Sequence, residues 1–305
     1  MLAEFSAWIV SISGTPTGHS YALIFALLAA FFHAAFGALQ NGRHDPWVSR
    51  AAIDVAFLCW AWPIALFVVP LPGWEHFWLF AGVFVIHNIY KVLQAMTYAR
   101  GSYTVVYPVV RGTGPLVTVL VAGVVFAETY NLLQWTGVLT LTGGIFGLAL
   151  YNYRKVTLHR ETLVSALFLA FLTGCAVAAY TTYDAFGIRL MPDPLTFIAW
   201  FFAIDGLTIP VIVAIWVRQG KLQMPPLGPL ALRGITGGII GPFSFACIML
   251  ATRIDKVGEA AVLRETSVLF AALIGIVFLK ENVGPRRIAL MALIALGAVL
   301  VEAGG

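Results

Sequence analysis

Long apolar runs, interrupted wherever charges, proline and glycine gather, divide the chain into ten segments: Tyr21 to Gln40, Ala51 to Val69, Phe77 to Ala99, Tyr103 to Ala127, Leu132 to Tyr151, Leu163 to Phe186, Leu195 to Val217, Gly228 to Thr252, Val257 to Leu279 and Pro285 to Val301. A helix needs about 20 mostly apolar residues to cross the hydrocarbon layer, so each run predicts a membrane-spanning helix. The connections are short and carry polar punctuation, as in Asn41-Gly42-Arg43, Pro70-Leu71-Pro72-Gly73, Met191-Pro192-Asp193-Pro194 and Met224-Pro225-Pro226. Nothing between the runs is long enough to form a soluble domain. Ahead of the first run, residues 1–19 hold an apolar patch from Phe5 to Val10, but Glu4 stands where a secretory signal would be positive. An interfacial stub is the expectation there.

Composition agrees with the pattern. Of 305 residues 60% are hydrophobic and 10% charged, against about 45–50% and 25% in soluble domains, and the mean hydropathy is +0.91. Eighteen basic and fourteen acidic side chains leave a net +4, too little and too scattered for a nucleic-acid footprint or a polybasic lipid patch. Cys59, Cys175 and Cys247 lie far apart in apolar runs and suggest neither a disulfide framework nor a metal site. No cofactor is implied.

Basic residues are unequally shared between the two sets of loops. One side carries Arg43, Arg50, Arg100, Arg154, Lys155, Arg160, Arg218, Lys221, Lys280, Arg286 and Arg287, the other only Arg189, Arg253 and Lys256. The rich side is expected to be cytoplasmic, which puts both ends of a ten-helix chain outside.

A shift of 153 residues superposes Arg111 on Arg264, Thr113 on Thr266, Leu116 on Leu269, Leu120 on Leu273, Val124 on Val277, Glu128 on Glu281 and Gly144 on Gly297, without a gap. Chance apolar matching accounts for the Leu and Val pairs more readily than for an intramembrane Arg and a helix-terminal Glu at one common spacing. Asp45-Pro46 and Asp193-Pro194 each precede a run, at an offset of 148. Two repeats are expected, 20–152 and 161–303. Five helices per repeat is odd, so the second must enter the membrane from the opposite face. The expected fold is therefore all-α, ten transmembrane helices in two inverted five-helix repeats, an architecture recurrent among secondary transporters.

The run Tyr107-Pro108-Val109-Val110-Arg111-Gly112-Thr113-Gly114-Pro115 and the run Val262-Leu263-Arg264-Glu265-Thr266-Ser267-Val268-Leu269-Phe270-Ala271 resemble the two signature helices of EamA-type permeases in the drug/metabolite transporter superfamily. Phe126-Ala127-Glu128, Leu279-Lys280-Glu281 and the glycines Gly137, Gly143, Gly144 and Gly297 fit the same pattern. The resemblance spans about residues 20 to 303. It implies ten helices in two inverted repeats and transport or export of small metabolites. It also implies cytoplasmic termini, against the charge count.

Ionisable side chains inside a membrane helix are expensive and usually face a partner or a water-filled cavity. Arg111 and Arg264 are the first candidates: a pair of pseudo-symmetric cations around a central cavity, suited to a carboxylate or phosphate, or alternatively cations paired internally with Glu265, Asp184 or Asp205. Glu265 or Asp184, if it faces the cavity, is a proton-coupling candidate; otherwise it is part of a fixed salt bridge. Lys91 with His87 and Asn88 forms a polar stripe on one helix face, with snorkelling of Lys91 as the competing reading. His33 and Tyr180 are weaker substrate-binding candidates. Tyr107-Pro108, a turn before Arg111, is expected to interrupt its helix. Gly143 and Gly147, Gly234 and Gly238, and Gly237 and Gly241 offer faces for close helix packing, within the bundle or between copies in a weak homodimer.

Motifs for membrane-embedded catalysis, such as HExxH, GxSxG or GxxxxGK[ST], do not occur, so no enzyme is expected. The reading is a secondary transporter, by preference an exporter, of a small polar metabolite, carboxylate-bearing or amino-acid-like, in a bacterial inner membrane. Its partners are that small molecule and the bilayer. A lipid-linked substrate flippase and a non-transporting scaffold subunit are the alternatives.

Overall fold

The computed structural model describes residues 2–39, 45–101, 103–153, 162–277 and 284–305. Its α-helices are α1 (Leu2–Ile12), α2 (Pro16–Leu39), α3 (Pro46–Phe67), α4 (Phe77–Arg100), α5 (Tyr103–Val125), α6 (Leu132–Tyr153), α7 (Leu163–Leu190), α8 (Pro194–Asp205), α9 (Thr208–Arg218), α10 (Leu227–Ile254), α11 (Val257–Arg264), α12 (Ser267–Val277) and α13 (Pro285–Ala303). No strand occurs among the described residues. Nine stretches there are helical, long and apolar enough to cross a membrane, α8 with α9 and α11 with α12 each counting as one. The further apolar helix α13 carries Arg286, Arg287 and Glu302 near its ends, which shortens its apolar stretch to Ile288 through Val301. Asn41-Gly42-Arg43, Arg154, Lys155, Arg160 and Leu279-Lys280-Glu281 lie outside the described residues.

The repeated Asp-Pro pairs are helix starts. Asp45 accepts from the backbone N–H groups of Trp47 and Val48 at the head of α3, and Asp193 accepts from that of Leu195 at the head of α8, each with proline at the first helical position. Such a cap satisfies N–H groups that have no helical partner, and proline has no N–H to leave unpaired there.

One local expectation changes. Tyr107-Pro108 does not interrupt its helix, because α5 runs through both Pro108 and Pro115. The breaks fall in the second half, at Gly206-Leu207 between α8 and α9 and at Glu265-Thr266 between α11 and α12. There the Thr266 hydroxyl and N–H both donate to the Leu263 carbonyl, 2.7 and 3.1 Å away, turning the chain tightly. The N-terminal stub is an 11-residue helix; its Ser6 hydroxyl donates to Asp193, and Gly14 N–H donates to Ile254 O at 2.9 Å.

Small residues make many of the helix contacts, beside buried bulky ones such as Phe80, Phe197, Phe201 and Leu141, and large apolar side chains also face outward. Ala26, Ala29, Ala30, Ala61, Ala65, Ala166 and Ala170 are fully buried, whereas Phe67, Val124, Leu132 and Val164 are at least 80% exposed. Lipid tails are as apolar as leucine, so burying leucine gains little, and small residues are favoured where helices approach closely. Helix α2 packs along α10 and α12, α7 along α4 and α5, α6 along α13, and α3 along α8, α9 and α10. Where α6 crosses α13, backbones meet: a Cβ on Gly297 would lie 2.4 Å from Leu141 N and one on Gly137 2.6 Å from Val301 N. Gly234 and Gly238 give α10 the same closeness to α3 at Ala52, Ile53 and Ala56, inside the chain, while Gly143 meets nothing within 4 Å.

A polar belt joins the helix ends at which α2, α6 and α11 begin and α5, α7, α10 and α13 finish. Glu128 accepts from the N–H groups of Val257 and Gly258 at 2.7 and 3.1 Å and lies 3.6 Å from Arg189, whose guanidinium donates to the carbonyls of Thr252 and Asp255. His19 bridges Asp255 at 2.5 Å and Glu302 at 3.3 Å. Glu259 accepts from Gln134 and pairs with Lys256 at 2.7 Å. Burial, then the hydrogen bond to Glu128, pushes the Tyr130 hydroxyl up from its ordinary value, so it stays protonated and donates.

Gly297→Ala is expected to cost on the order of 1–3 kcal/mol, because the new methyl meets backbone that cannot swing aside. Gly143→Ala, in open space, should leave the melting temperature in detergent unchanged or slightly higher. Thermal unfolding of the two variants beside wild type checks both.

Candidate functional site

The interior charges fall into two linked groups. The first is built on α3, α4, α7 and α8. Arg50 Nε donates to Asp54 Oδ1 at 2.6 Å, an i,i+4 pair on α3, and its NH2 lies 3.6 Å from Asp205 Oδ2. Asp205 ends α8 at the first break, so its backbone carbonyl lacks a continuing helix partner. Lys91 meets both needs, donating to Asp205 O at 2.7 Å and pairing with Oδ1 at 2.8 Å. The lysine thus caps a broken helix, a use of the last carbonyls open to cationic side chains. His87, one turn earlier on α4, lies 3.7 Å from Asp205 through Nδ1 and 3.0 and 3.2 Å from the two Asp184 oxygens through Nε2. Tyr180 tilts against the imidazole at 4.8 Å between centroids and Tyr90 against Tyr180 at 4.9 Å, with Phe201 and Phe245 closing the sides. Asn88 turns back to Phe84 O on its own helix and stays out of the group.

The second group is built on α2, α5 and the α11–α12 break. Arg111 Nε stands 2.8 Å from Glu265 Oε2, a charge contact whose angle falls short of a hydrogen bond, and its NH2 donates to Ser267 Oγ at 2.8 Å. Tyr107, a turn before it, presents its ring 5.9 Å from the guanidinium. Arg264 ends α11, where the helix dipole favours a cation. Its charge acts on Glu265, Asp184, Tyr180 and His33. Arg264 is 5% exposed, stands in no ion pair among the described residues, and its Nε has no hydrogen-bond partner there. His33 on α2 is half-buried and feels both arginines.

All nine candidate residues therefore lie on the helices around the two groups, but their situations differ. Arg111 and Glu265 hold one another, His87 and Asp184 hold one another, and Lys91 is committed to Asp205. The pseudo-symmetric arginines are unequal: one is spent on a carboxylate, the other is not. Sequence reasoning placed Arg50 among the loop cations and did not single out Asp54. The signal was available in the i,i+4 spacing of Arg50 and Asp54, an acid inside an apolar run.

A buried guanidinium at a helix break, without an ion pair among the described residues and near Tyr180 and a half-buried histidine, has donors that an anionic group could accept from. Comparison with known proteins adds a similarity. Residues 164–303 match the family model described as the EamA-like transporter family. The second part of the chain is thus similar to that family. No curated protein matches the sequence. A solved structure described as "Crystal structure of protein" superposes with a TM-score of 0.69 at 16% identity, covering 93% of this chain and 98% of that one; the likeness is one of fold.

The two arginines should respond differently to truncation. Arg111→Ala leaves Glu265, 1% exposed, as an uncompensated buried charge, a loss on the order of 3–5 kcal/mol, part of which the double variant Arg111→Ala/Glu265→Gln should recover. Arg264→Ala breaks no ion pair among the described residues and should cost less than Arg111→Ala, the loss being that of its longer-range attraction to Glu265 and Asp184. Melting temperatures of the three proteins in one detergent check the contrast.

Proposed function

We propose that the protein is a secondary transporter of a small anionic or zwitterionic metabolite, with a carboxylate or phosphate of the substrate held at Arg264 and the cargo exposed to each side in turn. The observation that carries this reading is the unpaired Arg264 guanidinium, deep in the bundle and at a helix discontinuity. Membrane transporters recurrently bind cargo near the midplane, at broken helices between repeats. Tyr107, Tyr180 and His33 complete the binding wall, while Arg111, Lys91 and His87 shape it through the partners they hold.

The architecture we infer is ten membrane helices in two inverted repeats, 20–152 and 161–303, with α13 as the tenth span and residues 1–19 outside the repeats. Support comes from the sequence shift and from helix contacts that exchange under it. The shift carries α2 to α7, α10 to α4 and α12 to α5, and the α2 contacts with α10 and α12 become the α7 contacts with α4 and α5. Packing of α6 on α13 maps onto itself. The location is a bacterial inner membrane, with the cation-rich helix ends cytoplasmic, and net movement is outward when the cargo is more concentrated inside.

Ligand-dependent thermal stabilisation tests the reading. Against a panel of carboxylates, amino acids, phosphates and organic amines, a member binding only the folded protein should stabilise it by about 2.7 kcal/mol at a hundredfold excess over Kd. Anionic or zwitterionic members are expected to do so in wild type and to lose the effect in Arg264→Ala. Stabilisation by amines alone, or by anions equally in the variant, would remove Arg264 from the binding site.

A further inference from the structure

Counting charge in the two interior groups points to a proton site. The carboxylates are Asp54, Asp184, Asp205 and Glu265; the cations are Arg50, Lys91, Arg111 and Arg264. With His87 neutral the eight cancel. A substrate bearing one negative charge then brings the interior to −1, a state that burial in a low-dielectric bundle penalises heavily.

His87 is built to remove that deficit. Asp184 can only accept, so His87 Nε2, 3.0 and 3.2 Å from its two oxygens, carries a hydrogen. In the neutral ring Nδ1 then has a lone pair, and it faces Asp205 Oδ1 at 3.7 Å, acceptor toward acceptor. A second proton on Nδ1 turns that contact into an attraction. The charged and titratable groups facing the ring are Asp184 and Tyr180 from α7, Asp205 from α8 and Lys91 from its own helix. Phe201 of α8 and Phe245 of α10 close the other sides, Arg111 on α5 faces Glu265, and Glu75 and His76, ahead of α4, pair with one another. His87 is 5% exposed and Asp184 3%, so a charge added at either is scarcely screened by water.

We propose that His87 is the proton-binding site of the transport cycle, taking its second imidazole proton when a monoanion occupies Arg264, so that one proton and one negative charge cross together. The inference rests on the anion reading of Arg264. On loading, a proton from water adds to the Nδ1 lone pair as the anion meets Arg264. On release the proton returns to water with the anion, and no other bond is made or broken. Transport is therefore electroneutral for a monoanion. Asp184 holds the ring rather than carrying the proton, and Glu265 stays bound to Arg111.

Histidine labelled with carbon-13 gives the test in detergent-solubilised full-length protein, which has six histidines. Loss of one resonance in His87→Gln assigns it. Asp205→Asn, which keeps the imidazole, singles out the same resonance by lowering its titration midpoint and serves if His87→Gln does not fold. The probes are sodium acetate, sodium glutamate and inorganic phosphate, titrated between about pH 5 and pH 9 around the ordinary histidine range. The expected result is that a probe stabilising the wild type raises the proton affinity of His87 about 5- to 150-fold, the usual span of coupling between two sites, and leaves it unmoved in Arg264→Gln. A His87 resonance locked in one protonation state with and without probe overturns the proposal. So does a midpoint unmoved by a probe that stabilises the wild type through Arg264, an outcome that leaves the anion reading standing. If none of the probes stabilises the wild type, the anion reading fails and the coupling falls with it.

Discussion

Charge inside a lipid-surrounded bundle survives only where other charge or captive water answers it, and the organisation of this protein follows from that constraint. Among the described residues, each cation of the two interior groups except Arg264 has a carboxylate within ion-pair range, and partners come from different helices: Arg111 on α5 with Glu265 at the α11–α12 break, Lys91 and His87 on α4 with Asp205 on α8 and Asp184 on α7. With little hydrophobic force between helices in lipid, these pairs and the close approach of small residues fix which helix lies against which. The exception, Arg264, stands out because everything around it obeys the rule.

The two helix breaks make sense on the same terms. A discontinuity frees carbonyls and N–H groups that lipid cannot satisfy. At the first break Lys91 takes the α8 carbonyl; at the second, Thr266 bonds back to Leu263 and Ser267 accepts from Arg111. Both breaks are therefore wired to the charged groups, so a change in the charge state of one group bears directly on the geometry of a helix junction. The polar belt is separate chemistry: its residues pair across the ends of α2, α5, α6, α7, α10, α11 and α13 and tie them together at one end.

Much of the fold was legible in the sequence. Apolar runs bounded by charge and proline mark the helices because the hydrocarbon thickness sets their length, and the Asp-Pro pairs announced two helix starts because capping is a local interaction. The same 153-residue shift that aligns Arg111 with Arg264 and Thr113 with Thr266 suggested the repeat we infer. The site was legible as a list of residues: polar groups in apolar runs are costly enough to mark the interior by themselves.

What the sequence by itself determined, then, was the membrane class, the helical segments and the set of residues that must face inward, since each depends on local composition and solvent transfer. Tertiary structure alone decided how those residues pair. Proline in α5 was tolerated and the helix broke instead near Arg264, because α5 is packed along α6 and α7 while the α11–α12 junction finds its own bonds in Thr266 and Ser267. Two arginines equivalent in the repeat became one structural cation and one free cation because Glu265, adjacent in sequence to Arg264, points about a third of a turn away on the helix and lies instead against Arg111. Apart from the i,i+4 pair Arg50–Asp54, partner choice in the two groups depends on contacts across 97 or more residues of chain, as between His87 and Asp184, and no local pattern encodes it.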